Sequence, residues 1–213
     1  MAERLQADWP AKSDECYMRE IPRTQAMTVS ELRYRYQTTR APIVLTRVLE
    51  QWGATGWTPQ ILKEGAGHRR VRALVDLPTR GVALPGGQVN YERDMTFGEF
   101  VDLMLSTPET RPCYVAYLRA ADLLPDLASD FDFHSLAPPD NEGTDTRLWI
   151  GSGGTQSMLH SDLKDNFFAQ IYGRKFVVII PADEFRLVYP FPDNIVNSRV
   201  DPEEPDHQRF PRF

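Results

Sequence analysis

The chain has 213 residues, 41% of them hydrophobic and 11% aromatic, with a formal net charge of −6. That length suits one domain whose core needs no disulfide or structural metal to hold it. The acidic balance argues against a broad nucleic-acid-binding surface; basic residues are scattered, and short pairs such as Arg69-Arg70 and Arg174-Lys175 read as solvated faces. Cys16 and Cys113 lack metal-like spacing, no secretory apolar region follows Met1, and no apolar run approaches ~18 residues. A cytoplasmic protein without a membrane span is the expectation.

Residues 1 to 28 are polar and aperiodic and read as an irregular arm. The run beginning Ser30-Glu-Leu-Arg-Tyr predicts a short helix with Ser30 as N-cap. Pro42 to Arg47 is β-like, and Thr58-Pro59 opens a helix through about Glu64. Arg70 to Asp76 alternates as a strand does, and Gly81 to Gly87 is loop-rich. Thr96-Phe-Gly-Glu99 is a capping box ahead of Phe97, Phe100, Val101, Met104 and Leu105 at helical spacing. Pro112 to Arg119 predicts a strand, and Leu123 to Thr146 a long connection with one helical turn.

Beyond Thr146 the pattern turns to β: Arg147 to Ile150, Met158 to Asp162, Asn166 to Tyr172 and Lys175 to Ile180, with glycine turns at Gly151 to Gly154 and at Gly173. Consecutive short strands joined this way suggest an antiparallel sandwich or barrel. A short helix is expected over Pro181 to Val188, and no regular element from Tyr189 onward. The glycines of Gly151 to Gly154 precede β-like residues rather than a helix, which argues against a phosphate loop.

One constellation carries chemistry. Side chains at i and i+2 of a strand share a face, so His160 and Asp162 point together, as two cis ligands of an octahedral metal do. Two histidines and a carboxylate with open positions form the facial triad of non-haem iron oxygenases. Lys175 stands in an apolar β run, where an inward ammonium needs an anionic partner. Ser157, Tyr114 and Asn166 supply neutral hydrogen-bonding groups on neighbouring elements. Taken singly, each of these residues reads more readily as structural.

Together they resemble a known family. The segments Trp149 to Thr155, Leu159 to Asp162, Asn166 to Lys175, Leu187 to Pro190, Val200 to Asp206 and Arg209 to Phe213 are similar, in order, to the cupin-like JmjC hydroxylases. Those enzymes are Fe(II)- and 2-oxoglutarate-dependent dioxygenases, and their asparaginyl-hydroxylase branch is the nearest. Pro42 to Leu45, Trp52, Trp57 and Met95 to Phe100 extend the likeness toward the N-terminus.

The resemblance implies an α+β, mainly β fold: a double-stranded β-helix (jelly-roll, cupin) core after N-terminal helices and strands. Residues 1–40 would form an arm and helix, and residues 41–213 the cupin-like domain. It implies His160 and Asp162 as iron ligands, and Lys175, Ser157 and Tyr114 as partners of the distal carboxylate of 2-oxoglutarate. Asn166 would stand near the metal-proximal end of that cosubstrate. The expected substrate is a protein or peptide side chain, hydroxylated rather than demethylated, and a homodimer is left open.

In the family the second histidine ligand follows the segment matching Arg209 to Phe213, and here none follows. His207 falls in a segment that does not ligate in relatives, and His68 and His134 precede the barrel strands. The core is therefore expected to be incomplete at its C-terminal end. The alternative function is a catalytically impaired binding module, or a fragment, that keeps the cosubstrate pocket without the third ligand. Isomerase and sugar-binding cupins do not account for Lys175.

Overall fold

The computed structural model describes residues 19–25, 27–78, 87–133, 135–136, 146–162 and 164–213. Most of the expected arm, the 81–86 part of the glycine loop, and His134 lie outside these residues.

A four-stranded antiparallel sheet anchors the fold, in the order β4-β3-β5-β6: β3 is Arg70–Leu74, β4 Glu92–Thr96, β5 Tyr114–Arg119 and β6 Arg147–Gly151. β3 pairs β4 from Arg70↔Thr96 to Leu74↔Glu92, and β5 pairs β6 from Tyr114↔Gly151 to Arg119↔Arg147. The second ladder is broken by an irregularity between Val115 and Leu118, where Tyr117 takes φ 59°.

β4 runs directly into α3 (Phe97–Ser106) through the expected capping box, with the Thr96 side chain accepting from the Glu99 amide and the Glu99 carboxylate accepting from the Thr96 amide. α3 turns Phe97, Gly98, Phe100, Val101 and Met104 inward. Phe97, Phe100 and Val101 are fully buried, each adding about 1.5–3 kcal/mol of apolar burial. α2 (Pro59–Ala66), capped by Thr58 with proline in its first turn, packs beside α3. The contact is close because Gly98 donates its amide to the Gly67 carbonyl at 2.9 Å; a Cβ at Gly98 would lie 3.2 Å from that same oxygen.

The core continues through Val71, Ala73, Cys113 and Val115 of the sheet region to Trp52 and Trp57. Trp57 is buried with its indole N–H donating 2.8 Å to Asp130 Oδ2, which satisfies the one polar atom of the ring. Trp52 meets Phe133 edge to face at 4.9 Å between centroids.

The first helix, α1, is Val29–Thr39, and its cap is Thr28 rather than Ser30: Thr28 and Glu31 form a reciprocal box. Residues Arg23–Gln25, expected to be irregular, form β1 and pair in parallel with β2 (Val44–Thr46). The connection after β5 holds a short α4 (Ala120–Leu123) and a 3-10 turn over Pro125–Asp130. Ala182–Leu187 is likewise a 3-10 turn.

Three expected strands are not formed. Met158 to Asp162 contributes an isolated antiparallel bridge, His160↔Asn197, while Asn166 to Tyr172 and Lys175 to Ile180 enter no ladder among the described residues. A β-like alternation reports which side chains suit a pleated surface and does not supply the neighbouring strand whose amides complete it.

Candidate functional site

The His160 segment is held from its C-terminal side. Ser161 donates its amide to Val196 O at 2.7 Å and Ser198 donates to Leu159 O at 2.9 Å, which fixes His160 opposite Asn197. Buried Ser198 in turn receives the Val200 amide at 2.9 Å. Val200 and Phe210 are buried, and Tyr189 packs against Phe210 at 5.0 Å between ring centroids. The tail without regular elements thus forms a small second packing centre that clamps the histidine.

His160 Nδ1 lies 2.6 Å from the Met158 carbonyl oxygen. A carbonyl only accepts, so this contact places a proton on Nδ1, and in the neutral ring the lone pair is then on Nε2. Nε2 stands 3.8 Å from Asp162 Oδ1, too far for a hydrogen bond. The other carboxylate oxygen, Oδ2, accepts from Asn166 Nδ2 at 2.7 Å. Cis ligands of a small octahedral ion lie ~3 Å apart, so the two lone-pair donors face each other but would have to close by ~0.8 Å to share such an ion. A backbone carbonyl fixing the far nitrogen is also how metal-binding histidines are oriented. The donor chemistry of the pair, an imidazole nitrogen and a carboxylate oxygen, is of the kind that holds a divalent metal. Among the described residues, no group of three or more histidine, cysteine or carboxylate side chains is placed to hold a metal, so His207 does not join them.

The second part of the site joins β5 to two irregular segments. The Tyr114 hydroxyl hydrogen-bonds Ser157, and burial pushes the phenol up to about 12 against the lowering effect of that bond. Lys175 Nζ stands 5.9 Å from the centre of the Tyr114 ring and 5.1 Å from that of Phe168. Loss of water around the ammonium lowers the Lys175 pKa from its ordinary value. Lys175 and Ser157 therefore each approach Tyr114, one at its ring and one at its hydroxyl, although the three come from separate segments. The ring position of Tyr114 is set by Gly151, where a Cβ would lie 2.6 Å from Tyr114 Cδ2.

Phe168 and the Met158 carbonyl are site groups that sequence reasoning missed. Phe168 sits two residues after Asn166, a spacing that would have flagged it; a backbone carbonyl leaves no sequence signal. A further link comes from α1, where the Tyr36 hydroxyl donates 2.7 Å to Asp165 Oδ1 beside Asn166.

Comparison with known proteins places this geometry in context. The family model for the cupin-like domain matches residues 29–213. Lysine-specific demethylase 8 of Xenopus tropicalis is 31% identical over 199 residues, which cover 91% of this chain and 44% of that protein. Lysine-specific demethylase JMJ30 of Arabidopsis thaliana is 24% identical, covering 95% of this chain and 47% of its own length. JmjC domain-containing protein D of Dictyostelium discoideum is 24% identical, with 87% and 46% covered. The chain spans about half the length of these relatives. With the model match running from α1 to Phe213, the chain belongs to the cupin-like domain family, in its JmjC branch.

Proposed function

We propose that this chain is the core of an Fe(II)- and 2-oxoglutarate-dependent dioxygenase that oxidises a side chain of a protein or peptide, on a double-stranded β-helix scaffold. The observation that carries this reading is the approach of both Lys175 and Ser157 to Tyr114. A partly desolvated ammonium and two hydroxyl groups gathered around one tyrosine suit a carboxylate: the cation supplies charge and the hydroxyls supply directional donors. The relatives named as lysine-specific demethylases support a protein substrate.

In this reading His160 and Asp162 hold the iron, which when bound supplies the redox chemistry that couples 2-oxoglutarate decarboxylation to oxidation of a substrate C–H bond. The chain's own residues do the rest. The Met158 carbonyl keeps the His160 proton on Nδ1, so Nε2 stays available as a ligand. Asn166 fixes the Asp162 carboxylate through Oδ2 and leaves Oδ1 facing the histidine. Lys175, Tyr114 and Ser157 bind and orient the far carboxylate of the cosubstrate, and Phe168 shields the ammonium on one side.

The test is succinate formation from 2-oxoglutarate with Fe(II) under air. Turnover that His160→Ala abolishes supports the dioxygenase. A folded chain that binds 2-oxoglutarate through Lys175 without turnover supports the binding module instead.

A further inference from the structure

His160 and Asp162 are held by different means. His160 is clamped through the backbone, by the Ser161 amide on Val196 O at 2.7 Å and the Ser198 amide on Leu159 O at 2.9 Å. Asp162 has no such support. Among the described residues, Asp162, Lys164, Asp165 and Asn166 make no backbone–backbone hydrogen bond, so side chains set the course of this loop.

Two side-chain bonds do so. Asn166 Nδ2 turns back four residues to donate 2.7 Å to Asp162 Oδ2. Beside it, Asp165 Oδ1 accepts 2.7 Å from the hydroxyl of Tyr36, 129 residues earlier in the chain. Consecutive Cα atoms are ~3.8 Å apart, so whatever holds Asp165 also holds the base of the Asn166 side chain.

α1 is built to brace this loop and not to fill the core. None of its described side chains belongs to the buried core, and its two ends are closed locally by the Thr28–Glu31 box and by the Arg40 amide on Tyr36 O. Among the described residues, the Tyr36–Asp165 bond is the only side-chain hydrogen bond from α1 to a distant segment. It lies in the range of charge-assisted bonds, and it raises the pKa of the phenol, so the hydroxyl keeps its proton and remains the donor. The Tyr36 ring is exposed, so removing the hydroxyl alone costs no packing.

We propose that Tyr36 is a positioning residue for the metal-binding pair. Through Asp165 it holds the loop so that Asn166 keeps Asp162 Oδ1 turned toward His160 Nε2. This rests on the reading of His160 and Asp162 as metal ligands. Groups that orient a ligand from behind set metal affinity without touching the ion.

The experiment titrates Co(II) into the metal-free full chain, read by calorimetry and by the visible absorption of the bound ion. The parent should bind Co(II), and Asp162→Ala should abolish binding. Tyr36→Phe should bind about three- to tenfold more weakly, with the melting midpoint of the metal-free chain unchanged. In an Asp165→Ala background the same replacement should change nothing further, because the bond is already gone. That vanishing of the effect supports the proposal. Co(II) affinity equal to the parent's in Tyr36→Phe overturns it, whether or not the melting midpoint falls. An affinity loss that persists in the Asp165→Ala background also overturns it, since Tyr36 would then act by another route. A parent chain that binds no Co(II), or binding indifferent to Asp162→Ala, overturns the metal-ligand reading itself and the proposal with it.

Discussion

The ammonium of Lys175 stands over the ring of Tyr114, 5.9 Å from its centre, while the hydroxyl of that tyrosine hydrogen-bonds Ser157. One tyrosine thus supports the cation with its face and extends the donor set with its edge. Removing the charge should matter more than removing the hydroxyl. Lys175→Ala is expected to weaken 2-oxoglutarate binding by about 2–3 kcal/mol, the scale of a charge-assisted bond, and Tyr114→Phe by about 1 kcal/mol. Titration of 2-oxoglutarate into each variant checks the order; equal effects would remove Lys175 from its assigned role.

Burial of the Tyr114 phenol has a consequence at high pH. Its pKa rises from 10.0 unfolded to about 12 folded, so the folded state holds the proton more tightly. Its stabilising contribution is full below pH 10 and is lost as pH rises through about 12. Denaturant unfolding followed across that window should show a steeper loss of stability in the parent chain than in Tyr114→Phe. Parallel curves would mean that the phenol is not buried.

Gly151 sets where the Tyr114 ring lies. A methyl group there would stand 2.6 Å from Tyr114 Cδ2 and 2.9 Å from Thr155 Oγ1, so one of the two must move. Gly151→Ala should cost about 1–3 kcal/mol, the usual range for overpacking, and should also weaken 2-oxoglutarate binding. A melting curve and a ligand titration on the same sample separate the two effects.

The Trp57–Asp130 hydrogen bond ties the segment after β2 to the connection after β5. Asp130→Ala leaves a buried indole N–H without its acceptor and should destabilise the chain by about 1–3 kcal/mol, whereas Asp130→Asn keeps an acceptor and should cost less. Chemical denaturation of the two variants tests this; an alanine variant as stable as the parent would show that water replaces the carboxylate.

Local grammar was readable in advance. Thr96 and Glu99 signal a helix start because both partners of the capping box lie within four residues, and Phe97, Phe100, Val101 and Met104 fall on the buried face of α3 as their spacing predicts, whereas Leu105 is exposed. The same grammar is present at Thr28 and Glu31, which start the first helix two residues before the Ser30 cap that the helix formers suggest. The partner of β1 was not readable, because a three-residue parallel pair depends on a distant segment. In the site, the resemblance points to Tyr114, Ser157 and Lys175, and the fold places Ser157 and Lys175 each against Tyr114.

The stretch from 166 to 180, outside every ladder among the described residues, leaves Phe168, Tyr172, Phe176, Val177 and Ile179 in water. Colloidal behaviour should be governed there. Such a run is short, aromatic and β-prone, and it carries the features that drive intermolecular strand exchange. As protein concentration rises, light scattering should grow faster for this chain than for Val177→Lys/Ile179→Lys, two replacements that place like charges along the stickiest part of the surface.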